Sequence, residues 1–233
     1  MSKYNYNFDE IENEPIHGNL RGYTAEKFKR IPYTEEEFQT TITPQEYSTL
    51  IEASYANNDT AENLGHTINY TMDTELSNEN HKVFIDDIDQ DIIIAYTGTR
   101  KNEDYMTDAA LAVGLAPYTS RFRDSRNLIN NVKFKYKKSP ILAIGDSLGG
   151  SIAEYVGDKV NRVVTHNKGT SIFDIGKRTR NNQIDIRHQN DYISALSQFE
   201  QGGQDRLTID DGKTGFFESH DYRNIKNIKR TRL

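Results

Sequence analysis

The stretch Pro140-Ile-Leu-Ala-Ile-Gly-Asp-Ser-Leu-Gly-Gly-Ser-Ile152 constrains the fold more than any other part of the chain. Ile141 to Ile144 predict a buried strand, and Leu148, Ile152, Val156 and Val160 recur on one face of a helix. Between them, Gly145-Asp146-Ser147-Leu148-Gly149 fits the G-x-S-x-G pattern in the strand–turn–helix setting that lifts a serine above a sheet. Reversing the chain in so few residues forces Ser147 into strained φ/ψ, and only hydrogen at Gly145 and Gly149 leaves room for the neighbouring backbone. The bland alternative is an ordinary glycine-rich turn.

At 233 residues the chain is long enough to bury one α/β core. The net charge of −6, with both signs interspersed, argues against nucleic acid as a partner. There is no cysteine, hence no disulfide, thiolate metal site or thiol redox chemistry, and no cofactor or metal is expected. The first residues lack the apolar core of a signal peptide, and no apolar run approaches the ~18 residues of a membrane span. The expectation is a soluble protein of the cytoplasm or another non-secreted compartment, with any membrane contact peripheral.

Residues 1–42 are polar and acidic but carry aromatics (Tyr4, Tyr6, Phe8, Tyr23), which predicts an arm packed on a domain spanning 43–233. Thr43-Pro44-Gln45-Glu46 is a capping box, and Tyr47, Leu50, Ile51 and Tyr55 follow at helical spacing, so a helix is predicted over 43–56. An Asn- and Asp-rich loop is expected next. Alternation at Ile68, Tyr70, Met72 and at Val83, Ile85 predicts a half-exposed antiparallel hairpin; the unbroken run 91–96 predicts a strand covered on both faces. Asp86, Asp87, Asp89 and Asp91 read as a solvated turn rather than a calcium loop, since the glycine and distal Glu of an EF-hand are missing. After an apolar stretch over 101–118, a helix is expected over 119–132, followed by a lysine-rich approach to the sheet (Lys133, Lys135, Lys137, Lys138); a patch for anionic lipid is the lesser reading. Strands are predicted at 162–166 and 184–188, then a hairpin of 206–210 with 214–217, and a basic tail.

A serine hydroxyl needs an imidazole to take its proton and a carboxylate to hold the imidazolium. After Ser147 the histidines are His166, His188 and His220. The first two fall in predicted strands, where a satisfied histidine is the ordinary explanation; His220 follows in a polar loop. Asp191 stands just past a strand, where open α/β sheets build their sites. Asp174, Asp205, Asp210 and Asp211 are the alternatives. For an oxyanion, the Leu148 N–H follows from the bend itself, and Thr99, closing the strand 92–96, offers an N–H and a hydroxyl.

At these residues the chain resembles the class 3 lipases, fungal-lipase-like α/β-hydrolases. Ile92-Ile-Ile-Ala-Tyr-Thr-Gly-Thr99 with Tyr105-Met-Thr-Asp108 is similar to their strand ending in Arg-Gly-Thr/Ser followed by Trp-x-x-Asp. Gly145-Asp-Ser-Leu-Gly-Gly150 resembles their Gly-His-Ser-Leu-Gly-Gly, Asn190-Asp191 their acid, and Ser219-His220-Asp-Tyr222 their late histidine. The resemblance covers residues 67–225. It implies Ser147 as nucleophile, Asp191 as acid, His220 as base, Thr99 and Leu148 as oxyanion donors, and Asp108 orienting Thr99. It also implies a lipid or other carboxylic ester as substrate, and a lid over 100–116. Thr97, Tyr105 and Asp146 depart from the family's Arg, Trp and His; an inward carboxylate at 146 would raise the base's pKa and oppose the oxyanion, an outward one would do neither.

The fold expected is an α/β-hydrolase with a mostly parallel central sheet, helices on both faces and an antiparallel hairpin at the N-terminal edge. The function expected is a serine ester hydrolase of lipase or phospholipase type. The rival is a non-catalytic module that keeps the same fold for binding or support.

Overall fold

The computed structural model describes residues 41–99, 120–170, 175–202, 205–213, 215–228 and 233. The arm expected over 1–42, apart from its last two residues, and the apolar stretch 101–118 with Asp108 lie outside them, as do Asp174, Thr214 and part of the basic tail.

Two helices open the domain, α1 (Pro44–Tyr55) and α2 (Asn58–His66), followed by strands β1 (Tyr70–Met72), β2 (His81–Asp86) and β3 (Ile92–Tyr96). Helix α3 (Ser120–Lys135) leads to β4 (Ile141–Asp146), α4 (Leu148–Tyr155) and β5 (Arg162–His166). The rest is β6 (Arg178–Thr179), β7 (Gln183–His188), β8 (Gln201–Gly202), β9 (Asp205–Ile209) and α5 (Phe216–His220). The main sheet has seven strands in the order β1-β2-β3-β4-β5-β7-β9. Pairing is antiparallel across β1, β2 and β3 and parallel from β3 to β9. This is the mostly parallel sheet, with an antiparallel N-terminal edge, that the sequence predicts.

The continuous apolar runs divide their side chains between two cores, as strands covered on both faces must. Ile93, Ala95, Leu142, Ile144, Val164, Ile184 and Ile186 pack with Tyr47, Leu50 and Ile51 of α1. Ile92, Ile94, Tyr96, Ile141, Ala143 and Val163 pack with α3 and α4 through residues such as Ile129, Val132 and Ile152. The capping box forms at α1: Thr43 Oγ1 accepts from the Glu46 N–H at 3.2 Å and Glu46 Oε2 from the Thr43 N–H at 2.7 Å.

Four expectations change. The Asn-rich segment after α1 is helix α2, capped by the Asn57 side chain on the Thr60 N–H; the cap and Ala61 packing outweigh its polar composition. Strand β2 is not half-exposed, because Val83 joins one core and Phe84 the other. The helix after the bend ends at Tyr155, and a 3-10 turn at Gly157–Lys159 takes Val160 off its face. Finally, residues 206–217 do not form a hairpin: β9 pairs parallel with β7, and Phe216–His220 is a short helix. The acidic turn is held by its own side chain, Asp86 Oδ1 accepting from Ile88 N–H at 2.8 Å and Asp89 N–H at 3.2 Å.

Candidate active site

The parallel strands end along one edge, where open α/β sheets place reacting groups. Ser147 follows β4 with φ 54° and ψ −126°, a backbone conformation that costs an L-residue on the order of 1–3 kcal/mol. It is tied at both sides: its N–H donates to His166 O at 3.1 Å, and its carbonyl accepts from the Gly169 N–H at 3.0 Å. From below, the Tyr47 hydroxyl of α1 donates to Gly145 O at 2.7 Å.

The glycines of the bend are there for space. A Cβ on Gly145 would lie 2.2 Å from the Gly149 carbonyl, and one on Gly149 would lie 2.2 Å from Tyr96 O. The close approach brings the start of α4 against the end of β3. Gly149→Ala should therefore cost about 1–3 kcal/mol, read as a lower urea midpoint with an unchanged m-value.

Three histidine–aspartate pairs lie near this edge, and their second ring nitrogens separate them. His188 Nε2 meets Asp211 Oδ1 at 2.7 Å, while its Nδ1 accepts from the Asn190 N–H at 3.2 Å, so both nitrogens are used. His166 Nδ1 meets Asp146 Oδ1 at 2.8 Å and His220 Nδ1 meets Asp191 Oδ1 at 2.6 Å. In these two rings the buried Nε2 has no hydrogen-bond partner among the described residues. His166 is fully buried and His220 is 7% exposed.

Asp191 Oδ2 also accepts from the Ser194 N–H at 2.8 Å. Burial opposes its charge, but the bonds from His220 and Ser194 prevail and hold the carboxyl below its ordinary range. For His220, burial disfavours the imidazolium; the bond to Asp191 and the charges of Asp146, Asp191 and Asp221 outweigh it and raise the pKa. Asp146 is buried and its carboxylate points onto His166.

Ser147 Oγ and Thr99 Oγ1 are likewise buried without a hydrogen-bond partner among the described residues. Thr99 follows Gly98, where a Cβ would stand 3.5 Å from Ser147 Cβ, so the Thr99 segment borders the serine. The Gly98 N–H donates to the Tyr55 hydroxyl at 3.0 Å, and Tyr55 stacks on Tyr222 with centroids 6.2 Å apart. Leu148 opens α4, where a first-turn N–H has no acceptor within the helix.

Little in the sequence marks out Asn167 and Lys168, which stand at the end of the predicted strand 162–166. Asn167 takes a left-handed φ of 43°; its Nδ2 donates to Ser219 O at 2.9 Å and its Oδ1 accepts from the His188 N–H at 2.7 Å. It therefore links the ends of β5 and β7 to the segment carrying His220. Asn167→Ala leaves a buried N–H unpaired and should cost about 1–3 kcal/mol in chemical unfolding. Lys168, 2% exposed, places its ammonium 2.6 Å from Glu154, 2.8 Å from Glu200 and 3.2 Å from Asp185. Only the Asn at a left-handed strand end was a readable signal.

The sheet order and the sharp bend define an α/β-hydrolase fold. The structure of Lip2 lipase from Yarrowia lipolytica shares it: TM-score 0.50 at 17% identity, over 70% of this chain and 76% of that one. The nonglycosylated form of that lipase is also similar (TM-score 0.47, 17% identity, 72% and 78% covered), as is a mutant of MDLA from Penicillium cyclopium (0.44, 14%, 77% and 94%). No known family profile and no curated protein matches the chain.

Proposed function

We propose that this protein is a serine hydrolase of carboxylic esters working through an acyl-enzyme, with Ser147 as nucleophile, His220 as base and Asp191 as its orienting acid. The observation that carries the reading is the Asp191–His220 pair at 2.6 Å, with His220 Nε2 and the hydroxyl of strained Ser147 both buried and unbonded among the described residues. Asp191 fixes the proton on Nδ1, which leaves Nε2 as the acceptor a serine proton needs.

In acylation, Ser147 Oγ bonds to the ester carbonyl carbon and its proton passes to His220 Nε2. The oxyanion is held by the Leu148 N–H and by the Thr99 hydroxyl and N–H. Collapse of the tetrahedral adduct breaks the C–O bond, and the imidazolium returns its proton to the leaving alcohol. Water, activated by His220, then releases the acid and frees Ser147. Asp108, which the sequence resemblance implies as the residue orienting Thr99, lies outside the described residues.

A lipid ester is the leading substrate class, since the Lip2 lipase that shares the fold joins with the apolar stretch 106–116 of the sequence in favouring it. Hydrolysis of p-nitrophenyl esters and phospholipids across acyl length tests this: a maximum at long chains supports lipid, and a preference for acetate points to a small-ester hydrolase. The non-catalytic rival predicts no labelling by a fluorophosphonate at all.

A further inference from the structure

Asp146 and His166 form a second buried carboxylate–imidazole pair. They are register partners at the ends of β4 and β5, and their side chains meet at 2.8 Å with 4% and 0% exposure. Both adjoin the groups assigned above. Asp146 precedes Ser147, and His166 accepts the Ser147 N–H through its carbonyl. Asn167, the next residue, bonds at 2.9 Å to the carbonyl of Ser219, which precedes His220. Neither side chain of the pair faces solvent, so its charge is weakly screened.

We propose that Asp146, clamped by His166, is a positioning residue that sets a second buried carboxylate beside His220, so that one imidazole works between two acids. This rests on the reading of His220 as the base. The groups acting on His220 are Asp191 from the loop after β7, Asp146 from the end of β4, and Asp221 beside it in the chain. From α1, the Tyr47 hydroxyl donates to Gly145 O and the Tyr55 hydroxyl accepts from the Gly98 N–H; burial, then the charge of Asp146, raises both phenols, so they stay protonated and add no charge of their own. His166 touches Asp146 through Nδ1 alone.

A carboxylate at this place favours the imidazolium that forms as Ser147 attacks and works against the oxyanion on the other side of the bend. The net consequence is a more basic His220 and an acid limb of activity displaced to higher pH. The orphaned Nε2 of His166 follows as well: the ring's task is to hold Asp146 by one nitrogen, not to move a proton with both.

The test is the titration of the His220 ring by NMR, assigned with His220→Gln, in wild type, Asp146→Asn and His166→Gln. Asp146→Asn should lower the His220 midpoint by about 0.5–1 pH unit, with the acid limb of kcat/KM moving down in parallel. His166→Gln, which keeps both the carboxylate and a donor to it, should leave the midpoint near the wild-type value. An unchanged midpoint in Asp146→Asn overturns the proposal, as does an equal fall in both variants, which would mark general loosening. If Asp146→Asn does not fold, the double variant Asp146→Asn with His166→Gln supplies an amide–amide pair and reads the same loss of charge. A wild-type protein that a fluorophosphonate does not label, yet whose His220 midpoint still falls in Asp146→Asn, would sink the hydrolase reading and leave this electrostatic link standing.

Discussion

Ser147→Ala is expected to abolish labelling by a fluorophosphonate and to lower ester hydrolysis about 10⁶-fold in kcat, with circular dichroism and the thermal midpoint close to wild type. The size follows from how such groups act: the nucleophile and its base work as a unit, and removing either one forfeits nearly the whole covalent route. What survives is binding and oxyanion stabilisation, roughly 10³–10⁴-fold over water. The fold should persist because alanine meets the same backbone strain at φ 54° as serine does, and the Ser147 hydroxyl makes no hydrogen bond among the described residues that could be lost. The bend is held by the Ser147 N–H and carbonyl, which the substitution leaves in place. An intact variant that still takes the label would move the nucleophile elsewhere and end the reading.

The largest effect on stability is expected at Lys168→Met. Its ammonium is the shared partner of Glu154, Asp185 and Glu200, which come from α4, β7 and the segment after a 3-10 turn at Ala195–Phe199. Lys177, at 2.8 Å, supports Glu154 as well, and Thr165 and Gln183 donate to Asp185 at 2.6 and 2.8 Å. Removing one partner of a buried ion pair costs about 3–5 kcal/mol, because the remaining charge has lost both water and its mate. Against a typical total of about 5–15 kcal/mol, that brings the domain near its limit at neutral pH, measured as a collapse of the urea midpoint.

The same cluster sets a pH dependence in the wild type. Burial, with the neighbouring charge of Glu154, outweighs the attraction of Lys168 and pushes the Glu200 carboxyl up to about 7 from its ordinary 4.5. A folded value above the unfolded one means that the folded state holds the extra proton. The stability so contributed is present in full below pH 4.5 and is lost as pH rises through about 7. Glu154 acts in the other direction: Lys168 and Lys177 overcome its burial and depress it, so its share is present above 4.5 and lost in acid. Urea midpoints followed from pH 4.5 to 8 should fall more steeply in wild type than in Glu200→Gln.

What could be read in advance was whatever short-range chemistry determines. The capping box at Thr43, the apolar runs 92–96 and 141–144 and the two glycines of the bend each carry their reason within a few residues, and each forms as expected. Position and resemblance single out Asp191 and His220, and they meet at 2.6 Å. Other features depend on partners far along the chain. Lys168, just past the predicted strand 162–166, has no partner near it in sequence, and only the approach of Glu154, Asp185 and Glu200 makes it an interior charge. The segment 205–217 has alternation and a Gly-containing turn, yet β9 finds its ladder on β7 instead of on its neighbour. Helix α2 was hidden because asparagines and acids that favour loops also cap helices, and Asn57 does so here.

Ile42 and Leu233 exchange both of their backbone hydrogen bonds, Ile42 N–H to Leu233 O at 3.3 Å and Leu233 N–H to Ile42 O at 2.7 Å, and both side chains are fully buried. Tension applied between these two residues, by a tether or a fused neighbour, would fall first on this one rung. Its rupture would loosen the segment leading into α1, the helix whose Tyr47 phenol donates to Gly145 O beside Ser147.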